Sequence, residues 1–227
     1  MVKQSLILIP PSEGKNSGGG AKPLRKVSPD IKEMMDRLHN YSGQPEQLFG
    51  VKGKALSEAI ETNKNILNTP TMPAIERYAG VVYDGIGYEL LNPAAKEFLQ
   101  EHVRIVSAMF GLIEPLDLIP DYKLKIEKLD AQKHWRPIIA QDLRNFFVID
   151  LLPLAHRKAV EYEQGISVDF VYIRKEKRIP AGHDGKFIKG RFVRWLCENQ
   201  VTDPKAFADF KEDNFKWNGF EFVKKVS

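Results

Sequence analysis

A basic amphipathic segment near the C-terminus constrains this chain most. Between residues 182 and 199, apolar residues recur at the spacing of an α-helix and form one stripe, made of Phe187, Ile188, Phe192, Trp195 and Leu196. Cations project elsewhere from this predicted helix, namely Lys186, Lys189 and Arg194. From residue 171 to residue 194, eight Lys or Arg residues face only Glu176 and Asp184. Such an excess concentrates phosphate or another polyanion, although a solvated surface helix with an ordinary charged face has the same pattern.

The composition is that of an ordinary globular protein. With 227 residues the chain can bury a sizeable core, and we expect a single domain over residues 1–227. Hydrophobic residues make up 43% and charged residues 28%, which leaves little room for long disordered segments. The net charge of +4 is mildly basic, so the composition permits a nucleic-acid partner without requiring one.

A single cysteine and a short apolar run indicate the compartment. Cys197 is the only cysteine in the sequence, so the chain can form neither an intramolecular disulfide nor a cysteine-rich metal site. This cysteine usage fits a reducing compartment. Because Cys197 lies on the apolar side of the basic helix, we expect a buried structural thiol rather than a redox sensor. The apolar run from Leu6 to Ile9 is too short for a signal peptide or a membrane span. We therefore expect a cytoplasmic protein without a membrane partner.

Short apolar runs and helical patterns predict the fold class. The predicted strands are Leu6–Ile9, Val103–Met109, Phe147–Leu151 and Val168–Arg174, followed by a closing hairpin around Asn218-Gly219. The predicted helices are Ile31–His39 with Asp30 as its cap, Asn92–His102, Trp135–Phe146 and a last short helix capped at Thr202-Asp203-Pro204. Since strands and helices do not alternate regularly, we expect an α+β fold with one mixed sheet flanked by helices.

Polar residues cluster where the predicted strands end. The first strand leads into a loop with Ser12 and Lys15, and the second ends at Ser107 and Gly111. Ligands of α/β sheets bind beyond the carboxyl ends of strands, so these residues indicate a phosphate or carboxylate site. The loop is not a Walker A motif, because the spacing Gly-x4-Gly-Lys-Ser/Thr is absent. An ordinary surface turn is the alternative for these residues.

Four further residues are candidates for the same cleft. Asp117, Tyr122 and Lys123 follow the second strand and can line the site. The alternative for Asp117 is that it fixes a tight loop through local hydrogen bonds. Tyr83 lies in a Gly-rich aromatic turn and can stack on a nucleobase, although aromatic residues beside glycine more often serve packing.

A second motif lies between residues 48 and 60. There an apolar residue, Gly50, an apolar residue, Lys52 and Gly53 precede a helix that Lys54 opens, which is the form of a helix-hairpin-helix element. Two glycines let the backbone approach a phosphate closely, and the second helix offers its free N–H groups and positive end. We therefore predict a helix-hairpin-helix insertion at about residues 44–67 that contacts DNA phosphates. A plain helical hairpin with glycine at its turn has a similar pattern.

The spacing of the residues indicates neither a metal site nor a Ser-His-Asp catalytic triad. Neither HxH nor HExxH spacing occurs among the five histidines, which are His39, His102, His134, His156 and His183. Ser12 and Ser107 lack the context of a nucleophile elbow, so we do not propose a hydrolase. We predict no metal site and no cofactor.

Taken in order along the chain, these pieces resemble the bacterial YaaA family of peroxide stress resistance proteins. The resemblance is carried by residues 6–15, by the block from Ser107 to Lys123, and by the helix from Lys186 to Asn199. It implies an α+β fold with a helix-hairpin-helix element, binding of double-stranded DNA mainly through the backbone, and a role in limiting free intracellular iron and oxidative DNA damage during hydrogen peroxide stress.

The resemblance also points to individual residues. Those that match the family pattern are Ser12, Lys15, Tyr83, Ser107, Gly111, Asp117, Tyr122, Lys123, Lys186, Lys189 and Arg194. The chain departs from the pattern at four positions, where Glu114 replaces a basic residue, Ala108 a glycine, Asp150 an asparagine and His156 a tyrosine. These departures add negative charge near the cleft.

Two hypotheses of different classes follow. In the first, the protein is a DNA-binding stress factor that grips phosphates through its basic helix and its hairpin. In the second, it is an enzyme that acts on a nucleotide or nucleobase in a basic cleft. The second hypothesis predicts that Ser12, Lys15, Ser107, Lys186 and Arg194 face one concave site, where a small phosphorylated ligand binds between Lys15 and Arg194.

Overall fold

Strands and short helices alternate irregularly along the chain. The computed structural model describes residues 4–24 and 27–226. Their strands are β1 (Ser5–Ile9), β2 (Gly14–Lys15), β3 (Met72–Pro73), β4 (Tyr78–Ala79), β5 (Val103–Ser107), β6 (Gly111–Ile113), β7 (Leu118–Ile119), β8 (Phe147–Asp150), β9 (Gly165–Ser167), β10 (Phe170–Arg174), β11 (Lys177–Pro180), β12 (Lys216–Trp217) and β13 (Phe222–Val226). Their α-helices are α1 (Pro29–His39), α2 (Pro45–Phe49), α3 (Lys54–Lys64), α4 (Ala74–Arg77), α5 (Val81–Ile86), α6 (Pro93–His102), α7 (Ala131–Leu143), α8 (Leu154–Arg157) and α9 (Gly182–Glu198), and two 3-10 helices span Tyr88–Leu90 and Pro204–Asp209. Among these described residues, no helix has the length and apolar character that crossing a bilayer requires.

The main sheet has five strands in the order β6–β5–β1–β8–β9. β1 lies at its centre and pairs in parallel with β5 and β8, so that Ile7 is opposite Val103 on one side and Ile149 on the other. β9 continues the parallel part, and β6 adds an antiparallel edge strand. All five residues of β1 are buried, as expected for a strand covered on both faces. The predicted α+β class with a mixed sheet is confirmed.

A second sheet has four strands in the order β11–β10–β13–β12. The expectation of one sheet is therefore wrong, because β10, within the predicted strand at residues 168–174, pairs with β11 and β13. The place beside β8 belongs to β9, whose three residues are too few to give an alternating pattern. The closing hairpin around Asn218 and Gly219 is confirmed by the pairing of β12 with β13.

Aromatic side chains pack α9 against the second sheet. Phe170 and Phe222 of that sheet stack with their ring centroids 4.9 Å apart. Phe192 of α9 contacts Phe207 and Phe210 edge to face, in both cases at 5.0 Å. All five rings are buried. Aromatic packing of this kind fixes the position of α9 and therefore of the cations that it carries.

The starts of two helices test the predicted caps. Asn92 caps α6 and accepts a hydrogen bond of 2.9 Å from the following turn, which confirms the prediction. Asp30 was the wrong cap for α1, because the side chain of Ser28 accepts the hydrogen bond from Ile31 at 3.3 Å. Pro29 takes the first helical position, where proline is favoured, so the cap must precede it. Asp30 lies in the first turn instead.

Glycines let α9 pack closely on α5. A Cβ at Gly190 would overlap the carbonyl oxygen of Val82 and would lie 2.8 Å from Gly85 Cα. A Cβ at Gly85 would in turn overlap the carbonyl oxygen of Phe187. Backbone meets backbone at this crossing, which only the missing side chains allow. No local sequence pattern marks this role of the two glycines.

The predicted apolar stripe of α9 needs one correction. Ile188, Phe192 and Leu196 are buried as predicted, whereas Phe187 is 41% exposed. The crossing with α5 uses Gly190 and the backbone of Phe187, so the contact there is made by backbone and not by the Phe187 ring. Cys197 is buried, as predicted, and this burial raises the pKa of its thiol to about 12.

Candidate functional site

Three loops meet at the carboxyl edge of the main sheet. They follow β1, β5 and β8, which run parallel in neighbouring positions, and they contain residues 10–15, 108–110 and 151–156. Parallel strands place the loops after their carboxyl ends on the same side of a sheet. The structure thus brings the loop of Lys15 and the loop after Ser107 to one edge, as the sequence suggested.

Lys15 places its amine over an aromatic ring. Its Nζ lies 4.2 Å from the ring centroid of Tyr122 and 5.5 Å from that of Tyr78. The amine donates a hydrogen bond of 3.2 Å to the backbone oxygen of Ser12. Burial lowers the pKa of Lys15 to about 8, although the charge of Asp121 opposes this shift. About a tenth of this amine is therefore uncharged at neutral pH.

Three hydroxyl groups form a chain beside this amine. Ser107 Oγ lies 2.9 Å from the Tyr122 hydroxyl, which lies 2.8 Å from the Tyr78 hydroxyl. Ser107 Oγ also accepts hydrogen bonds from the backbone N–H groups of Met109 and Phe110. These two bonds use both lone pairs, so Ser107 donates to Tyr122 and Tyr122 donates to Tyr78. Burial raises the pKa of Tyr122 to about 12, which keeps the chain protonated.

A second buried amine comes from α9. Lys189 Nζ donates a hydrogen bond of 2.5 Å to the carbonyl oxygen of Leu151, in the loop after β8. Burial lowers the pKa of Lys189 to about 8, while the charge of Asp169 opposes the shift and that of Arg157 adds to it. Lys186, one turn earlier, is exposed. The basic helix therefore contributes a buried and an exposed cation.

Asp150 lies beneath this amine and is held by several donors. Its carboxylate accepts hydrogen bonds from Leu152 N at 2.7 Å, Arg157 Nε at 3.1 Å and the Tyr162 hydroxyl at 3.2 Å. Burial raises the pKa of Asp150, and the charge of Arg157 opposes that shift. The negative charge expected near the cleft is therefore present but paired with Arg157.

His156 follows in the same loop and was missed as a site residue by the sequence analysis. Its Nδ1 is buried without a hydrogen-bond partner among the described residues. Burial lowers the pKa of His156 to about 4, with smaller effects from Glu127, Lys189 and Glu13, so the ring is neutral at pH 7. The spacing between His156 and the other histidines matches no metal-binding motif, so the sequence did not mark this residue. In the part of the chain that the structure describes, no three His, Cys, Asp or Glu residues form a group suited to a metal ion.

The turn between α2 and α3 has the backbone that its glycines predicted. Gly50 ends α2 in the left-handed region with φ 66°, and Gly53 precedes α3 with φ 58° and ψ −136°. Lys52 and Lys54 are exposed on this turn, and 91% of the Lys54 side chain is accessible. The first turn of α3 directs N–H groups that have no intrahelical partner toward the same side.

Two polar contacts join this turn to the cleft. Asn63 of α3 donates to the carbonyl oxygen of Lys123 at 2.8 Å and accepts from its N–H at 3.0 Å. Lys125 pairs with Glu13 at 3.2 Å, and its Nζ lies 3.4 Å from where a Cβ on Gly50 would be. The glycine turn and the loop of Lys15 are therefore neighbours, although about 35 residues separate them in sequence.

Arg77 holds the loop of Lys15 in place. Its buried guanidinium donates hydrogen bonds to the carbonyl oxygens of Asn16, Gly18 and Pro70, at 2.5, 2.9 and 3.0 Å. Asn16 returns a backbone hydrogen bond of 2.8 Å to the carbonyl oxygen of Arg77. No sequence pattern marks this residue, because its acceptors are backbone groups, two of them about 60 residues away.

Two predicted site residues have local roles. The Tyr83 hydroxyl donates to the carbonyl oxygen of Pro10 at 3.0 Å, and its buried ring lies 5.5 Å from that of Tyr78. Of the two alternatives for Tyr83, the structure shows packing. The carboxylate of Asp117 accepts from the backbone N–H of Glu114 at 2.8 Å and so fixes its own turn.

Ser12 and Arg194 lie at opposite ends of α5. A Cβ on Gly80, before the helix, would be 2.9 Å from Ser12 Oγ, and a Cβ on Gly87, after it, would be 3.3 Å from Arg194 Nη1. At 1.5 Å per residue, these ends are about 10 Å apart along the axis. Arg194 Nε donates to Glu198 Oε1 at 2.8 Å. The contacts of Arg194 are thus with its own helix and the end of α5.

Acidic residues from distant segments reduce the basic excess counted along the sequence. Arg178 pairs with Glu221 at 2.8 Å, and Arg191 pairs with Glu212 at 3.3 Å. Both partners lie beyond residue 200. The count over residues 171–194 therefore overstated the positive charge that this region presents.

Comparisons with known proteins agree over nearly the whole chain. A family profile described as "Peroxide stress protein YaaA" matches residues 6–220. A UPF0246 protein of Corynebacterium glutamicum is 32% identical over 214 residues, which cover 85% of this chain and 84% of that protein. A UPF0246 protein of Rhizorhabdus wittichii is 28% identical over 237 residues, covering 94% of each chain. The family profile covers nearly all of the main sheet and the loops at its carboxyl edge, and the chain belongs to the peroxide stress protein YaaA family.

Proposed function

We propose that this protein binds double-stranded DNA through the phosphate backbone, with the turn between α2 and α3 as a main contact. The observation that carries the proposal is the form of this turn, in which Gly50 and Gly53 both have positive φ and Lys52 and Lys54 are exposed. We interpret α2, the turn and α3 as a helix-hairpin-helix element. Backbone contacts of this kind carry no sequence information, so we expect little sequence preference.

Three physical features of the turn favour a phosphate. The start of α3 presents N–H groups and the positive end of the helix dipole. Nothing lies within 4 Å of where a Cβ on Gly53 would be, so a phosphate can approach this backbone directly. The amine of Lys54 is 3.8 Å from Glu58, a loose exposed pair that yields readily to a phosphate.

The cations beside the cleft extend this surface. Lys123 and Lys125 share one acidic partner, Glu13, at 3.8 and 3.2 Å. With Lys15, three positive charges stand against the negative charges of Glu13 and Asp121, which leaves an excess of one positive charge between the turn and the loop of Lys15. A duplex lying on the turn can therefore continue along the carboxyl edge of the main sheet.

In the cell, we propose a cytoplasmic role in limiting free iron and oxidative DNA damage during peroxide stress. Membership of the peroxide stress protein YaaA family supports the link to peroxide. A protein that neutralises phosphates replaces the cations condensed on DNA, so it keeps iron ions off the backbone that it covers; this accounts for less oxidative DNA damage, while the limit on free iron rests on the resemblance to the family alone. Oxidation driven by iron then occurs farther from the bases.

A second candidate function is the handling of a nucleotide or nucleobase in the cleft. The buried amines of Lys15 and Lys189, together with the unpartnered Nδ1 of His156, favour it. Phosphate would pair with the amines, and a ligand that displaces the groups covering His156 would donate a hydrogen bond to its Nδ1. Titration with inorganic phosphate and with a nucleoside monophosphate, followed by NMR of the His156 ring, tests this candidate.

The DNA proposal is tested with a double variant and a matched control. Lys52→Ala with Lys54→Ala removes two exposed charges and should weaken duplex binding about tenfold or more, measured by fluorescence anisotropy. Lys205→Ala removes an equally exposed lysine from the 3-10 helix at residues 204–209 and should leave the affinity unchanged. Equal affinities of wild type and the double variant would contradict the proposed contact.

A further inference from the structure

Within residues 4–24 and 27–226, the amine of Lys15 has no carboxylate partner, in contrast to the amines of Lys123 and Lys125. Lys123 and Lys125 pair with Glu13, and Lys189 donates a short hydrogen bond to Leu151. Among the described residues, no carboxylate lies within ion-pair distance of Lys15, whose polar contact is a hydrogen bond of 3.2 Å to a backbone oxygen. Burial without a paired carboxylate favours the uncharged form of an amine, which is the form that acts as a nucleophile.

We propose that Lys15 forms an imine with an aldehyde carried by DNA, the ring-opened sugar of an abasic site. This inference rests on the proposed function, because the DNA surface delivers the aldehyde to the cleft. It gives the buried amine a chemical role that binding of phosphates does not require.

The turn between α2 and α3 lies close to Lys15, which favours an aldehyde carried by DNA over a free small-molecule aldehyde. Gly50 is adjacent to Lys125, Lys125 pairs with Glu13, and Glu13 is two residues from Lys15. A duplex bound at the turn therefore passes this loop within a few nucleotides. An abasic sugar leaves the duplex easily, since it has no base to unpair or unstack.

The chemistry balances without an oxidant or reductant. The uncharged amine of Lys15 attacks C1′ of the aldehyde, a nitrogen–carbon bond forms, and the carbonyl oxygen becomes a hydroxyl. This oxygen then leaves as water with the two hydrogens of the amine, and a carbon–nitrogen double bond remains. Burial supplies the uncharged amine, because it lowers the pKa of Lys15 to about 8.

Lys15 is a better candidate for this step than Lys189. Both amines have a pKa of about 8 and both feel nearby carboxylates, but Lys189 donates a shorter hydrogen bond, of 2.5 Å, to Leu151. Its nitrogen must break that bond before it can attack. Lys15 has only the longer bond to Ser12, so its lone pair is more available.

The experiment is reductive trapping with the full-length protein. A duplex with one abasic site is incubated with the protein and sodium cyanoborohydride, and covalent complexes are separated on a denaturing gel. We expect a trapped band whose yield rises between about pH 7 and about pH 9, and peptide mapping should place the adduct on Lys15. Lys15→Arg keeps the charge but cannot form the imine, so its band should be at least tenfold weaker. Lys205→Arg serves as the control and should give the wild-type band.

Affinity for an intact duplex, measured in parallel, separates this inference from the proposed function. Wild type that binds the duplex but gives no trapped band would overturn the inference and leave DNA binding in place. An adduct mapped to another lysine would overturn it as well. Wild type that binds no duplex would remove the proposed function and the inference together.

Discussion

Lys125 and Glu13 form an ion pair of 3.2 Å where the glycine turn meets the loop of Lys15. The same amine lies beside Gly50, so this one side chain contacts both parts of the candidate surface. The pair links a segment from the middle of the chain to the loop after the first strand. The turn proposed to contact DNA and the loop of Lys15 therefore belong to one continuous surface.

Gly53 provides a first prediction. Its φ of 58° and ψ of −136° are reached by glycine and are strained for other residues by about 1–3 kcal/mol. Gly53→Val should distort the turn and weaken duplex binding more than Glu58→Gln, an exposed change on the same helix. Anisotropy titrations of both variants check this, and equal affinities would show that the turn has only a structural role.

The sequence predicted the strands of the main sheet better than the site. Apolar runs at residues 6–9 and 147–151 gave β1 and β8, because burial on both faces leaves a direct signal. The second sheet was missed, since pairing between β10 and β13 depends on segments about 50 residues apart. Position in sequence cannot show which strands will meet.

Some residues of the site could be predicted from local sequence, and others could not. Lys15 and Ser107 were predicted from their places at strand ends, a rule that needs only local sequence. Arg77 and His156 were missed, because their importance comes from burial and from partners that the fold supplies. Arg194 was expected beside Lys15, and this stays a prediction, although its contacts lie at the far end of α5.

Gly190 gives a prediction about stability. A Cβ there would overlap the carbonyl oxygen of Val82, so Gly190→Ala must push α9 away from α5. We expect a loss of about 1–3 kcal/mol in the free energy of unfolding, measured with urea. Gly20→Ala is the control, because nothing lies within 4 Å of its Cβ position. A stable Gly190→Ala variant would mean that the helices can separate at little cost.

Arg77 should matter more than an exposed arginine. Arg77→Lys keeps the charge but cannot reach the carbonyl oxygens of Asn16, Gly18 and Pro70 together. Losing part of this set of hydrogen bonds from a buried guanidinium should cost about 2 kcal/mol of unfolding free energy. Arg136→Lys, in an exposed pair with Glu161, should cost less than about 0.5 kcal/mol. Equal losses in urea denaturation would contradict this role.

His156 should make stability depend on pH. Its folded pKa of about 4 lies below the ordinary 6.5, so the unfolded chain takes up a proton first as the pH falls. When the pH is lowered from about 7 to about 4.5, the free energy of unfolding should therefore fall by about 2 kcal/mol more in the wild type than in His156→Phe. Urea denaturation at both pH values measures this difference. Parallel losses would show that the imidazole is solvated in the folded protein.

The most direct test of DNA binding through phosphates is the salt dependence of affinity for a duplex. Plotted as log K against log salt concentration, wild type should give a steep negative slope, with each neutralised phosphate adding about 0.9. The variant with Lys52→Ala and Lys54→Ala should have a slope shallower by about two, and duplexes of unrelated sequence should behave alike. A flat wild-type plot, or an unchanged slope in the double variant, would contradict the account.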